Sequence, residues 1–225
     1  MAATIYPDWK LWMYYANVFG TMPTNGTPRD SDWAVALAFG RNSILDRSLD
    51  QMVCKKVYHR YQKADLAAMA RLDHEGFDPG DPNCHIANFI EHYIENYRRP
   101  VAAQWELVVA LYQIYGEQWV TSAIKESLLF CLWPHPGMKA YRSLDVLADA
   151  HRVWPLHRPL LIAHDLHMPR VYMLARKMWD NPIVGCKTIT RAFDQKSVQR
   201  QTTTPAQWYW YECCARLHHK VYGLV

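Results

Sequence analysis

Apolar residues recur along this chain mostly at helical spacing. Ile86, Phe89, Ile90, Tyr93, Ile94 and Tyr97 follow i, i+3, i+4, i+7, i+8 and i+11, which places them on one stripe of a helix. Residues 100–133 form the most apolar stretch. Trp105, Val108, Val109, Leu111, Tyr112 and Tyr115 predict one helix there, and Val120, Ile124, Leu128, Cys131 and Leu132 predict a second. Pro100 suits a first helical position, Gly116 marks the joining turn and Pro134 forbids continuation.

The same punctuation predicts helices elsewhere. Pro7 and Asp8 open a short one that Gly20 closes, and Ser31 caps another beginning at Asp32. A longer helix runs through Leu45, Leu49, Met52, Val53, Val57 and Tyr61, followed by one over 65–75. Further helices are expected over 138–152, from Pro159 through Leu166, from Pro169 through Met178, over 189–198, and over 205–222 behind the cap Thr204. Runs of alternating β-branched residues are lacking. The expected fold is therefore all-α: consecutive antiparallel helix pairs, in a solenoid-like or irregular bundle. It spans a single domain, 1–225, divisible into N-terminal helices over 1–99 and repeat-like pairs over 100–225.

Pro100, Pro134, Pro169 and Pro205 lie 34, 35 and 36 residues apart, the period of helix-turn-helix solenoids. Sliding by 36 residues superposes Trp105 on Tyr141, Val108 on Leu144 and Ile124 on Leu160. Over residues 100–204 the chain thus resembles a degenerate pentatricopeptide or tetratricopeptide repeat. A pentatricopeptide protein reads RNA with a polar residue on each first helix, where this chain places Leu107 and Ser143. Repeats without that code serve as docking surfaces, so the resemblance implies a non-catalytic accessory or scaffold subunit. Such a subunit binds other proteins in a larger assembly, by family analogy a mitochondrial complex.

Composition adds to that expectation. Ten Trp and 14 Tyr are side chains favoured at interfaces as well as core edges. Trp208, Tyr209, Trp210 and Tyr211 are consecutive on the last expected helix, cover most of its circumference and are the candidate protein-binding residues. A net charge of +4 falls short of a dedicated nucleic-acid binder. One basic ridge, Lys55, Lys56, His59, Arg60 and Lys63, is nevertheless a candidate contact for an acidic partner or nucleic acid. The first 28 residues carry Asp8 and Lys10 and no arginine, unlike a signal or transit peptide. The uncharged run 11–28 is broken by Asn17, Gly20, Asn25, Gly26 and two prolines, so no transmembrane helix is expected. The expected location is intracellular, in the cytoplasm or an organelle interior such as the mitochondrion.

The six cysteines have no CxxC spacing, and the GFDPGDPN segment lacks the acidic ladder of a calcium loop. Neither disulfide nor structural metal is expected, nor any cofactor or catalytic residue. Two alternatives compete at one segment. PLLIAHDLHMP resembles the metal-binding helix of HD-domain phosphohydrolases, which implies His164 and Asp165 as ligands, joined by His135 or His151 and by Asp180 or Asp194. Residues 158–179 alternatively read as a DNA-binding helix-turn-helix. Ala163, Leu166, Met168 and Met173 would then be buried, with Arg170, Arg176 and Lys177 toward DNA.

Overall fold

The computed structural model describes residues 24–42, 66–134, 141–155, 158–185, 189–190 and 192–221, with side chains up to residue 215. The chain is not all-α. Four strands, β1 (Trp33–Ala36), β2 (Val101–Gln104), β3 (Leu129–Leu132) and β4 (Pro159–Ile162), form a parallel sheet in the order β3-β2-β1-β4. Six helices accompany them among the described residues: α1 (Leu66–His74), α2 (Asp81–Tyr97), α3 (Trp105–Lys125), α4 (Ser143–Val153), α5 (Met168–Ala175) and α6 (Pro205–Val221).

Successive strand residues point to opposite faces, and both faces are covered. Ala34, Ala36, Val101, Ala103, Leu160 and Ile162 pack with Met69 and Leu72 of α1, Ile86 and Ile90 of α2, and Val108 and Leu111 of α3. Val35, Leu37, Ala102, Leu132, Leu161 and Ala163 meet Val146, Leu147 and Ala150 of α4 and Val171, Leu174 and Ala175 of α5. This is a three-layer, doubly wound α/β arrangement. Burying each such Leu, Ile or Val contributes about 1.5–3 kcal/mol.

That double burial explains why helices were expected where strands stand. A strand with one wet face alternates apolar and polar residues, whereas WAVA, VAAQ, LFCL and PLLI are nearly continuous apolar runs four residues long. So the helix expected from Asp32 is β1, the start of the 100–133 helix pair is β2, its end is β3, and the helix expected from Pro159 is β4. The label alpha-helical and the all-helical pairing are corrected accordingly. Strands β2, β3 and β4 interrupt the 100–204 window, and β1 from the N-terminal half pairs with β2 and β4 across the 1–99 and 100–225 division.

Other expectations fare differently. Helices α1, α2, α4 and α6 occupy the stretches anticipated for them. Gly116 does break helical geometry, at φ 82° and ψ 168°, with helix resuming on its far side within α3. Residues 192–199 are irregular, where a helix was expected. The helices expected from Pro7 to Gly20 and from Leu45 to Tyr61 lie outside the described residues, as does the basic ridge of Lys55, Lys56, His59, Arg60 and Lys63. Among the described residues no helix is long and apolar enough to cross a membrane.

Candidate functional site

From β1 the chain crosses outward to β2 and β3, then returns to place β4 on the other side of β1. Connections from β1 and β4 therefore diverge to opposite layers, and a crevice opens between them at the carboxyl edge. In open α/β sheets that switch point is where ligands bind. A crevice of about 740 Å³ lies there, within the size range of sites that enclose small molecules. Three helices begin on its wall, contributing Gln104 and Glu106 at the start of α3, Arg142 and Ser143 at α4, and His167 and Arg170 at α5. Their dipoles favour negative charge, as do the two guanidinium groups, although at α4 the Asp145 carboxylate already accepts from Arg142 N at 2.9 Å.

The loop leaving β1 is held rigidly against this wall. Ala38 N donates to Gln104 Oε1 at 3.1 Å, and Phe39 N donates to Asn83 Oδ1 at 2.8 Å. The Phe39 ring stacks on His164 with centroids 3.7 Å apart and lies 4.6 Å from Trp208 of α6. Gly40 follows at φ 74°, a left-handed conformation suited to glycine. A Cβ there would meet Thr202 Oγ1, and would lie 2.9 Å from Thr202 Cβ and 3.0 Å from Ser197 Oγ. The glycine therefore makes room for the 197–202 segment. Ser197 Oγ also donates to the Arg41 carbonyl at 3.0 Å, closing that segment over the loop.

Glu106 is the unusual group. It is 7% exposed, and its Oε2 has no hydrogen-bond partner. Burial pushes its carboxyl up to about 7, against the opposing pull of the Arg41 guanidinium, its own backbone N–H and Gln104. At neutral pH such a group is poised to give or take a proton. His167, 4% exposed, shares a 3.0 Å hydrogen bond between Nε2 and Ser143 Oγ, and its Nδ1 is unpartnered. Burial, then the charges of Arg170 and His164, hold its imidazole well below the usual histidine range, so it is neutral at pH 7. An orphaned buried N–H is rarer than an orphaned lone pair, which favours the proton on Nε2, donated to Ser143.

Arg170 is 7% exposed and sits 3.4 Å from the fully buried Glu212 of α6. Its guanidinium also lies 5.4 Å from the Trp208 ring and 5.3 Å from Tyr211. Helix α6 is thereby fastened over the crevice. Tyr141 donates from its hydroxyl to Asp149 at 2.8 Å on the neighbouring wall.

The residues singled out by sequence are placed as follows. Leu166 N donates to His164 Nδ1 at 3.2 Å, which assigns the ring proton to Nε2, and Nε2 donates to the Ala192 carbonyl at 3.0 Å. Both nitrogens are occupied by backbone. Asp165 Oδ1 accepts from Ile189 N at 2.7 Å and Thr190 N at 3.2 Å. The pair joins the end of β4 to the 189–192 segment instead of facing one ion. His151 packs edge-on against Trp179, Asp180 is exposed, Asp194 accepts from Asn42 at 2.6 Å, and His135 lies outside the described residues. No group of three or more His, Cys, Asp and Glu able to hold a metal occurs among the described residues.

Residues 158–179 form β4 and α5 and so are not a helix-turn-helix; Arg170 is turned inward, while Arg176 and Lys177 are exposed. On α6, Trp208 is buried at 2% and donates from Nε1 to the Leu166 carbonyl at 3.3 Å. Tyr209 is half-buried, Trp210 is 70% exposed and Tyr211 is 41% exposed.

Sequence reasoning passed over Glu106, Gln104, Gly40, Asn83 and the His167–Ser143 pair. Two signals were present: WAVALAFG is an apolar run ended by glycine, the pattern of a buried strand feeding a tight turn, and Glu106 is the lone acid within an otherwise uncharged stretch from Val101 to Gly116. No family model matches this chain, and neither does any curated protein or solved structure.

Proposed function

We propose that the protein binds a small anionic molecule in the carboxyl-edge crevice and acts on it by proton transfer through Glu106. The observation that carries this is the Glu106 carboxyl, buried, with Oε2 unpartnered and its pKa raised to about 7, on the wall of a crevice ringed by three helix N-termini. A scaffold subunit has no use for such a group, because leaving a buried carboxyl oxygen unpartnered costs stability. An enzyme does, since general acid–base catalysis is most effective when the group titrates near the working pH.

The ligand's charge follows from the surroundings. Arg142 is exposed at the crevice and Arg170 lies deeper, and the N-termini of α3, α4 and α5 add partial positive charge. The protonated form of Glu106 adds a donor, so the acid need not repel an anion. The test is thermal denaturation of the whole chain with inorganic phosphate, pyrophosphate, sugar phosphates and dicarboxylates. At least one should raise Tm, and Arg142→Ala should weaken that ligand at least tenfold. Stabilisation by none of them, or stabilisation indifferent to Arg142→Ala, overturns the proposal.

A second reading, docking on a partner protein through α6, is favoured by the 70% exposure of Trp210. Its test is association of the chain in its native source before and after Trp210→Ala.

A further inference from the structure

The lining of the crevice is divided by charge. Its acidic and basic side chains, Glu106, Arg142, His167 and Arg170, lie at the helix N-termini. The wall built by the 199–202 segment and α6 instead presents Gln199, Gln201, Thr202 and Tyr211, which carry amide, hydroxyl and ring groups without charge. A volume of about 740 Å³ is far more than an isolated phosphate fills and matches a whole small molecule. An occupant that satisfies both halves is charged at one end and neutral, planar and hydrogen-bonding at the other.

We infer that the occupant is a nucleoside phosphate, its phosphate at the α4 N-terminus beside Arg142 and Ser143 and its base against Tyr211 and the two glutamine amides. This rests on the anion-binding reading above. Tyr211 is 41% exposed although it lines the crevice, so its ring keeps open surface while Arg170 lies 5.3 Å from its centroid. Stacking on an aromatic ring tolerates any base, and glutamine amides can select among bases in the ring plane. The side chains of Gln199 and Gln201 meet each other only at 3.5 Å, the limit of a hydrogen bond, which leaves amide groups for a ligand. The β1 turn does not take the phosphate, because the space beside Gly40 is filled by Thr202. Two residues of the charged side, Glu106 and His167, also carry a buried polar atom without a hydrogen-bond partner, Oε2 and Nδ1.

The experiment is calorimetric titration of the full chain, and of Tyr211→Ala, Gln201→Ala and Arg142→Ala, with the four nucleoside monophosphates, ribose 5-phosphate and inorganic phosphate. At least one nucleotide should bind about tenfold or more tightly than ribose 5-phosphate, the expected gain from stacking one base. Tyr211→Ala should bring that nucleotide down to ribose 5-phosphate and leave ribose 5-phosphate unchanged, with Arg142→Ala weakening both. Gln201→Ala should narrow the preference among the four bases, an arm that holds even if Tyr211→Ala proves unstable. If no nucleotide exceeds ribose 5-phosphate, or if neither Tyr211→Ala nor Gln201→Ala changes nucleotide binding, the inference fails while the anion site stands. If no phosphate compound binds, the inference fails, and the anion site then stands or falls with the dicarboxylates in its own test.

Discussion

Nδ2 of Asn83 donates to the Gly40 carbonyl at 2.6 Å, tying the first turn of α2 to the loop that leaves β1. The same amide donates to the Pro79 carbonyl at 2.7 Å, and its Oδ1 accepts from Phe39 N at 2.8 Å. Asn83 is wholly buried, and its bonds to Phe39 N and to the Pro79 carbonyl are buried with it, so those groups lack water as an alternative; the Gly40 carbonyl is part-buried. Asn83→Ala should cost about 2–4 kcal/mol by leaving buried backbone groups unsatisfied. Asn83→Asp should cost at least as much, since a carboxylate would face two carbonyls. Urea denaturation of both variants checks this, and an Asp variant as stable as the native chain would show that the amide donors contribute nothing.

Gly40→Ala should destabilise by about 2–4 kcal/mol, combining the left-handed φ of 74° with overpacking against Thr202 and Ser197. The two causes separate in a second variant. Thr202→Gly combined with Gly40→Ala removes the nearest obstruction and should recover only the steric part, leaving the backbone cost of about 1 kcal/mol. Full recovery would place the whole penalty in packing.

The helix ends were legible where they depended on local chemistry. Gly116 interrupts helical geometry as its lack of a Cβ suggests, and Thr204 with Pro205 opens α6 at the anticipated place. The strands were not legible because their signal is tertiary: Val101 and Ala103 face α1–α3 while Ala102 faces α4 and α5, so burial on both sides erases the alternation that marks a strand. The site was illegible for the same reason. Glu106, Ser143 and His167 are far apart in sequence and share a wall only because β2, β3 and β4 end at one edge. His164 and Asp165, adjacent in sequence, drew attention to a structural junction beside that wall.

The pairing of Arg170 with Glu212 joins α5 to α6 in a nearly dry setting, with side-chain exposures of 8% and 0%. Removing Glu212 leaves the buried Arg170 guanidinium without this carboxylate, so Glu212→Ala should cost about 3–5 kcal/mol. Replacing both, as Arg170→Met with Glu212→Leu, should restore much of that stability, because a packed apolar pair avoids the desolvation of two ions. Chemical denaturation of the two single variants and the double variant gives the coupling directly. Additive losses would mean that the two side chains act independently despite their 3.4 Å approach.

Glu106 gives the chain a pH dependence of definite sign. Its carboxyl is raised from 4.5 to about 7 in the folded protein, chiefly by burial. Between those values the folded state holds a proton that the unfolded state has released. The contribution is therefore full below about pH 4.5, declines as pH rises through about 7, and is absent above it. The difference amounts to about 3 kcal/mol, from the rise of the carboxyl from 4.5 to about 7. Glu106→Gln removes this contribution, so the variant should gain on the native chain progressively from pH 5 to pH 8, read as the difference in unfolding free energy. A bound anion disfavours the charged carboxyl further. Ligand binding by the native chain at pH 7.5 should accordingly take up a fraction of a proton, measurable by titration in buffers of different ionisation enthalpy, and Glu106→Gln should abolish that uptake. A stability difference that does not change with pH would mean that Glu106 stays ionised throughout. It would also remove the proton-transfer role assigned to it.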